Sequence, residues 1–226
     1  MIETGAEIRS RPPWGRVAAA LLAAGLLGMG AGVALHYLLA KPAPARSAVS
    51  SSGLRGQATW APGVRPAPPI TTLRDQTGRL FALQSLRGRT VAMTFFDSHC
   101  NQACPLGGRA IAAAERALPA AQRPVVVVVS VNPRDTPASE RAAARKWGLA
   151  QAGSFHWLSG RTAQLARVWS AYHIFVKPTK GDISHTEALY LVDRRGYERS
   201  GYLFPFVPRF VSHDLSALAA ERHGHV

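Results

Sequence analysis

The sequence predicts an α/β fold, a central sheet flanked by helices, and three observations carry that reading. Val125–Val131, VVVVVSV, is a nearly unbroken β-branched run, the pattern of a central strand covered on both faces. Apolar strand-like runs alternate with helix-forming segments from Thr90 onward, which implies parallel pairing across long connections. Thr136-Pro137 and Gly148 bracket a helix with start and stop signals.

Each element follows from local chemistry. Thr71–Arg89 carries two turn signals, Asp75–Gly78 and Arg87-Gly88, around a short apolar run: a hairpin followed by a single turn. Thr90–Phe96, TVAMTFF, is a buried strand. Pro105 suits the first turn of a helix, where its missing N–H costs nothing, and Arg109–Leu118 continues it with good helix formers. Val125–Val131 is followed by a loop over Asn132–Pro137. Thr136 then caps a helix running through Ala138–Trp147 to Gly148. Thr162–Tyr172 is a further helix. Ala188–Val192 is a strand, Asp193–Gly196 a tight turn and Tyr197–Tyr202 the returning strand; Phe210–Arg222 closes the chain as a helix. The order is β-α-β-α-α-β-β-α, without an internal repeat.

The chain has 226 residues, 27 Lys+Arg against 13 Asp+Glu and a formal net charge of +14. The basic residues are mostly scattered arginines, with no run of five, no zinc-finger spacing and no aromatic RNA-binding signature, so no nucleic-acid partner is expected. An acidic protein or a membrane surface is the expected use of the charge. Val17–Ala40 contains no Asp, Glu, Lys or Arg over 24 residues, and a span needs about 20. Arg9, Arg11 and Arg16 precede it; Lys41 and Arg46 follow. The expected layout is a cytoplasmic segment over 1–16, a transmembrane anchor over 17–40, a Pro/Ala/Ser-rich tether over 41–69, a folded domain over 70–222 on the extracytoplasmic side of the cell membrane, and a tail over 223–226. Ala43-Pro44-Ala45 has the form of a signal-peptidase site, but the apolar stretch exceeds the usual h-region, so an uncleaved anchor is expected.

Residues 97–105 read DSHCNQACP and hold the only two cysteines, Cys100 and Cys104. Cys100 lies in the loop leaving a strand and Cys104 begins the next helix, so both sulfurs share one side and sense the positive helix end, which favours thiolate. A disulfide closing so short a loop restricts little chain and makes a poor staple. A reversible dithiol and a metal site remain. Soft sulfur ligands select copper(I), zinc or iron–sulfur chemistry, and imidazole suits copper and zinc. A third ligand is most plausibly one of eight histidines. His36 lies in the apolar span and His223 and His225 in the tail. His99 adjoins Cys100, where it can tune the thiol. His156, His173 and His213 have no local context. His185 stands apart in GDISHTEALYLVD, in a loop entering an apolar strand, where the ends of neighbouring strands come close.

TFFDSHCNQACP, SVNPRDTP and ISHTEALYLVDRRG resemble, in order and spacing, three signature blocks of the Sco/SenC family, across roughly residues 70–222. The resemblance implies a thioredoxin-like fold behind a membrane anchor. It implies a copper chaperone that binds one ion, Cu(I) or Cu(II), through Cys100, Cys104 and His185. Its partner would be the copper-bearing subunit of cytochrome c oxidase, whose copper centre the family helps to assemble, or another copper protein. The rival is an enzyme, a thiol–disulfide oxidoreductase acting on a copper acceptor, with Cys100 attacking and Cys104 resolving. A third class is an inert binding module that needs neither cysteine. Two positions depart from the family pattern: Asn101 follows Cys100 where Pro is common, and Asn132 stands where Asp is usual. The basic segment Val176–Ile183, with Lys177 and Lys180, is read as a loop that faces an acidic partner or simply solvent.

Overall fold

The computed structural model describes residues 53–179 and 182–221. The anchor expected over 17–40 and its flanks, with His36, Lys180, His223 and His225, lie outside them. Among the described residues no helix is long and apolar enough to cross a membrane.

The strands are β1 (Ala58–Thr59), β2 (Val91–Phe96), β3 (Val125–Ser130), β4 (Phe155–Leu158), β5 (Val176–Thr179), β6 (Asp182–His185), β7 (Ala188–Val192) and β8 (Glu198–Leu203). The helices are α1 (Ala103–Arg116), α2 (Pro137–Trp147), α3 (Leu149–Ala152), α4 (Thr162–Ala171) and α5 (Pro208–Ala220). Six strands form one mixed sheet in the order β1-β8-β7-β2-β3-β4, and β5-β6 is a separate hairpin. β2, β3 and β4 are parallel, whereas β7 runs antiparallel to β2 and β8 antiparallel to β7.

Strand alternation divides the valine run between two cores. Val126 and Val128 pack with Ile111 of α1, Trp147 of α2 and Leu215 of α5. Val125, Val127 and Val129 pack with Phe81, Leu83 and, from α4, Leu165 and Trp169. Every residue of β2 and β3 is buried, as a strand covered on both faces requires. α2 begins where Thr136 Oγ1 accepts from Ser139 N–H at 3.2 Å. It ends at Gly148, whose φ of +84° suits a residue without Cβ.

Three regions differ from the sequence-based expectation. Residues 53–69, expected as the end of the tether, are packed onto the domain. Leu54 is buried, the Arg55 N–H donates to Asp214 Oδ1 at 2.8 Å, and β1 pairs with β8. These attachments are mostly backbone hydrogen bonds, which a Pro/Ala/Ser composition does not reveal. β4, not expected at all, extends the sheet beyond β3. Its outer edge is completed by one side chain: Gln76 Nε2 donates to Phe155 O at 3.2 Å, and Gln76 Oε1 accepts from Trp157 N–H at 2.8 Å. The expected basic loop over Val176–Ile183 is instead most of the β5-β6 hairpin, which pairs Val176 with His185.

Candidate metal centre

The mixed sheet creates the site. Because β7 is antiparallel to β2, with Leu189 opposite Thr94, the start of β7 lies beside the end of β2. The cysteine loop leaves β2 at Phe96, and the segment from His185 to Glu187 enters β7 from β6. Side chains 81 residues apart in sequence therefore meet at the carboxyl end of a central strand.

Cys104 is fully buried in the first turn of α1 and Cys100 is half-buried; both thiols are free. His185 Nε2 lies 3.6 Å from Cys104 Sγ. His185 Nδ1 lies 3.2 Å from the Thr186 carbonyl oxygen. A carbonyl only accepts, so Nδ1 carries a proton, and in the neutral imidazole this leaves the Nε2 lone pair toward the sulfur. The imidazole is only 4% exposed.

The two thiols are electrostatically unlike. The Cys104 thiol donates to Cys100, and the backbone N–H groups of Gln102 and Cys104 add to this, pulling Cys100 down to about 6 against the opposing effect of burial. The Cys104 thiol is pushed well above its ordinary value, because that hydrogen bond holds its proton and burial disfavours its thiolate. At neutral pH the metal-free pair is thus one thiolate and one thiol.

Cys104 is the residue that meets both others singled out from sequence, Cys100 through the hydrogen bond between the thiols and His185 at 3.6 Å. The structure leaves the other described histidines elsewhere. His99 turns its Nδ1 to Asp135 Oδ1 at 3.2 Å and is not among the groups that shift Cys100. His156 faces Asp75, and His213 faces Asp214 on α5. His173 is exposed after α4. Asn101 is exposed, and the groups that stabilise the Cys100 thiolate are the Cys104 thiol and the two backbone N–H groups.

Sequence reasoning missed Glu187. Its Oε1 lies 3.8 Å from Cys104 Sγ and 3.9 Å from His185 Nε2. Burial, assisted by the charge on Cys100, pushes its carboxyl up to about 7. The available signal was its spacing: residues two apart on an extended segment share a side.

A second set of polar groups braces the cysteine loop. Asp97 Oδ1 accepts from His99 N–H at 2.9 Å and from Asn132 Nδ2 at 3.0 Å. The Cys100 N–H donates to Asp97 O at 3.1 Å. Asp135 accepts from Ser98 Oγ at 2.6 Å and also from Ser130 Oγ. The loop after β3 is thereby tied to the loop after β2. Asn132 occupies the position where the resemblance led to an expectation of Asp, and here it is the donor to a neighbouring carboxylate.

Comparisons with known proteins follow the same lines. The SCO1/SenC family model matches residues 71–209. Copper-bound ScoI of Bradyrhizobium japonicum is 29% identical, with a TM-score of 0.55, over 68% of this chain and 99% of that one. Copper-bound ScoI of Arabidopsis thaliana is 19% identical, with a TM-score of 0.60, over 66% and 95%. BsSco, a member of the Sco family of cytochrome c oxidase assembly proteins in which a disulfide switch was identified, is 20% identical, with a TM-score of 0.59, over 74% and 100%. A comparison with curated protein sequences returns no match.

Proposed function

The chain belongs to the SCO1/SenC family, and from that premise we propose that it is a copper chaperone. It binds one copper ion through Cys100, Cys104 and His185 and assists copper-centre assembly in cytochrome c oxidase. The observation that carries this reading is the convergence at Cys104: its sulfur lies beside the Cys100 thiolate and 3.6 Å from an imidazole nitrogen whose lone pair faces it. Two sulfurs and one nitrogen suit copper in both oxidation states, thiolates favouring Cu(I) and imidazole keeping Cu(II) accessible. Binding displaces the Cys104 proton, and the ion passes to its acceptor, a copper-bearing oxidase subunit or another copper protein, by stepwise ligand exchange. Copper-bound relatives support the choice of metal. The apolar segment 17–40, preceded by three arginines, supports a membrane anchor with the folded domain on the extracytoplasmic side.

The test is copper titration of the reduced chain. One equivalent is expected, lost in a Cys100→Ser, Cys104→Ser variant and weakened in His185→Ala. Unaltered stoichiometric binding in the double variant would sink the reading.

The split between the thiols favours a second reading, thiol–disulfide exchange. The Cys100 thiolate attacks a disulfide of the acceptor, forming a mixed disulfide and releasing one thiolate. The Cys104 sulfur then attacks Cys100, its proton leaving with the second acceptor thiol. The pair ends oxidised and the acceptor reduced by two electrons. The disulfide switch of BsSco supports this chemistry. Retained single-turnover reduction of a disulfide by the His185→Ala protein would favour exchange, because His185 is needed only for copper.

A further inference from the structure

The carboxylate of Glu187 has no part in the family-derived ligand set, yet it belongs to the same cluster. Cys104 Sγ, His185 Nε2 and Glu187 Oε1 form a triangle with edges of 3.6, 3.8 and 3.9 Å. Donors about 2.0–2.3 Å from one tetrahedral first-row ion stand roughly 3.3–3.8 Å apart. The triangle therefore closes on an ion with a contraction of a few tenths of an ångström. The carboxylate is 13% exposed, and its Oε2 is buried with no hydrogen-bond partner among the described residues. A buried carboxylate oxygen without a donor is costly, and such groups are normally paired or coordinate metals.

We propose that Glu187 is an additional oxygen ligand, making the centre one of two thiolates, an imidazole and a carboxylate, and that it biases the site toward Cu(II). The inference rests on the copper reading above. Carboxylate is a harder donor than thiolate or imidazole. It adds a negative charge that the divalent ion exploits more than the monovalent one. Cu(I), satisfied by two thiolates and a nitrogen, gains little from it. Glu187 therefore lowers the reduction potential of the bound ion and makes delivery sensitive to oxidation state.

The test compares the full-length reduced chain with Glu187→Gln and Glu187→Ala, each titrated anaerobically with Cu(I) and separately with Cu(II) against a competing chelator. Absorption and electron paramagnetic resonance spectra of the Cu(II) forms are recorded alongside. Gln keeps the side-chain shape and loses the charge; Ala covers the case in which Gln is not accommodated. Both variants are expected to bind Cu(II) tenfold or more weakly, to bind Cu(I) within threefold of the parent, and to show an altered Cu(II) spectrum. A tenfold change in relative affinity raises the midpoint potential by about 59 mV. A role confined to packing would leave both affinities and the spectrum unchanged, and that result overturns this inference while leaving copper binding intact. A parent chain that binds neither ion overturns both.

Discussion

Asn132→Asp tests how the cysteine loop is held. Asn132 and Asp97 are both buried, and the amide donates to the carboxylate at 3.0 Å. The variant replaces that donor with a second carboxylate. At about 3 Å and an effective dielectric of about 20, two full charges repel by about 5 kcal/mol. The lost bond to a charged acceptor adds about 1.5–3 kcal/mol. Protonation caps this cost. Holding one Asp neutral at about pH 7.5, against an ordinary value of about 3.9, costs about 5 kcal/mol, and the protonated group then donates to its neighbour. Some rotation toward water relieves the rest, so a loss of about 2–4 kcal/mol is expected at that pH. The pair's folded pKa is raised above its unfolded value, so stability is intact below about pH 4 and is lost as pH rises toward the folded pKa. At about pH 4.5 the deficit should fall to about 1 kcal/mol or less. Urea unfolding of metal-free wild type and variant at both pH values measures the difference. A variant within about 0.5 kcal/mol of wild type at the higher pH, or a deficit that does not change with pH, would show that the Asn132–Asp97 bond does not brace the loop. Thiol reactivity supplies a second readout, because the Asp97 charge already opposes ionisation of Cys100 and another should raise its pKa further.

In the metal-free reduced protein, alkylation by iodoacetamide should modify Cys100 alone, its rate rising through a midpoint near about pH 6, while Cys104 stays protected; Cys104→Ser should move that midpoint upward by weakening the bond that lowers it. Equal labelling of both thiols would refute the split. Glu115 is fully buried, with neither oxygen hydrogen-bonded among the described residues, and burial pushes its carboxyl up to about 8. It therefore destabilises the fold progressively as pH rises from about 4.5 to about 8, by at most about 5 kcal/mol. Glu115→Gln should reduce the loss of stability across that window, to which the raised Glu140 and Glu187 carboxyls also contribute, and parallel unfolding profiles for the two proteins would refute the assignment. Gln76→Leu removes both partners from the edge of β4, at about 1–3 kcal/mol for each backbone group left unpaired. Hydrogen exchange at the Trp157 amide should accelerate markedly, and unchanged protection would show that the edge needs no side-chain partner.

What was legible in the sequence depended on how far each determinant reaches along the chain. β3 and α2 are specified within their own spans, by a β-branched run buried on both faces and by Thr136, Pro137 and Gly148 at the helix ends. β4 is not: FHWL carries no clear period, and its outer hydrogen bonds come from Gln76, 79 residues before Phe155. The β5-β6 hairpin is hidden by Pro178 and Lys177, residues that read as loop and are tolerated because this pair lies outside the main sheet. The site divides in the same way. Reactive sulfur was readable from a strand–loop–helix unit, since the N–H groups that lower Cys100 lie within four residues of it. His185 stood apart from the other seven histidines only by its place before an apolar strand, and the resemblance made it a ligand, because only the antiparallel pairing of β7 with β2 brings it to Cys104. Glu187 escaped for a different reason. Its H-x-E spacing beside an apolar strand was visible, but an acidic residue there is indistinguishable from a solvated one until burial is known. The fold supplies that distinction by setting the β6–β7 connection against the first turn of α1, so a local pattern becomes chemistry only after a long-range strand pairing has closed over it.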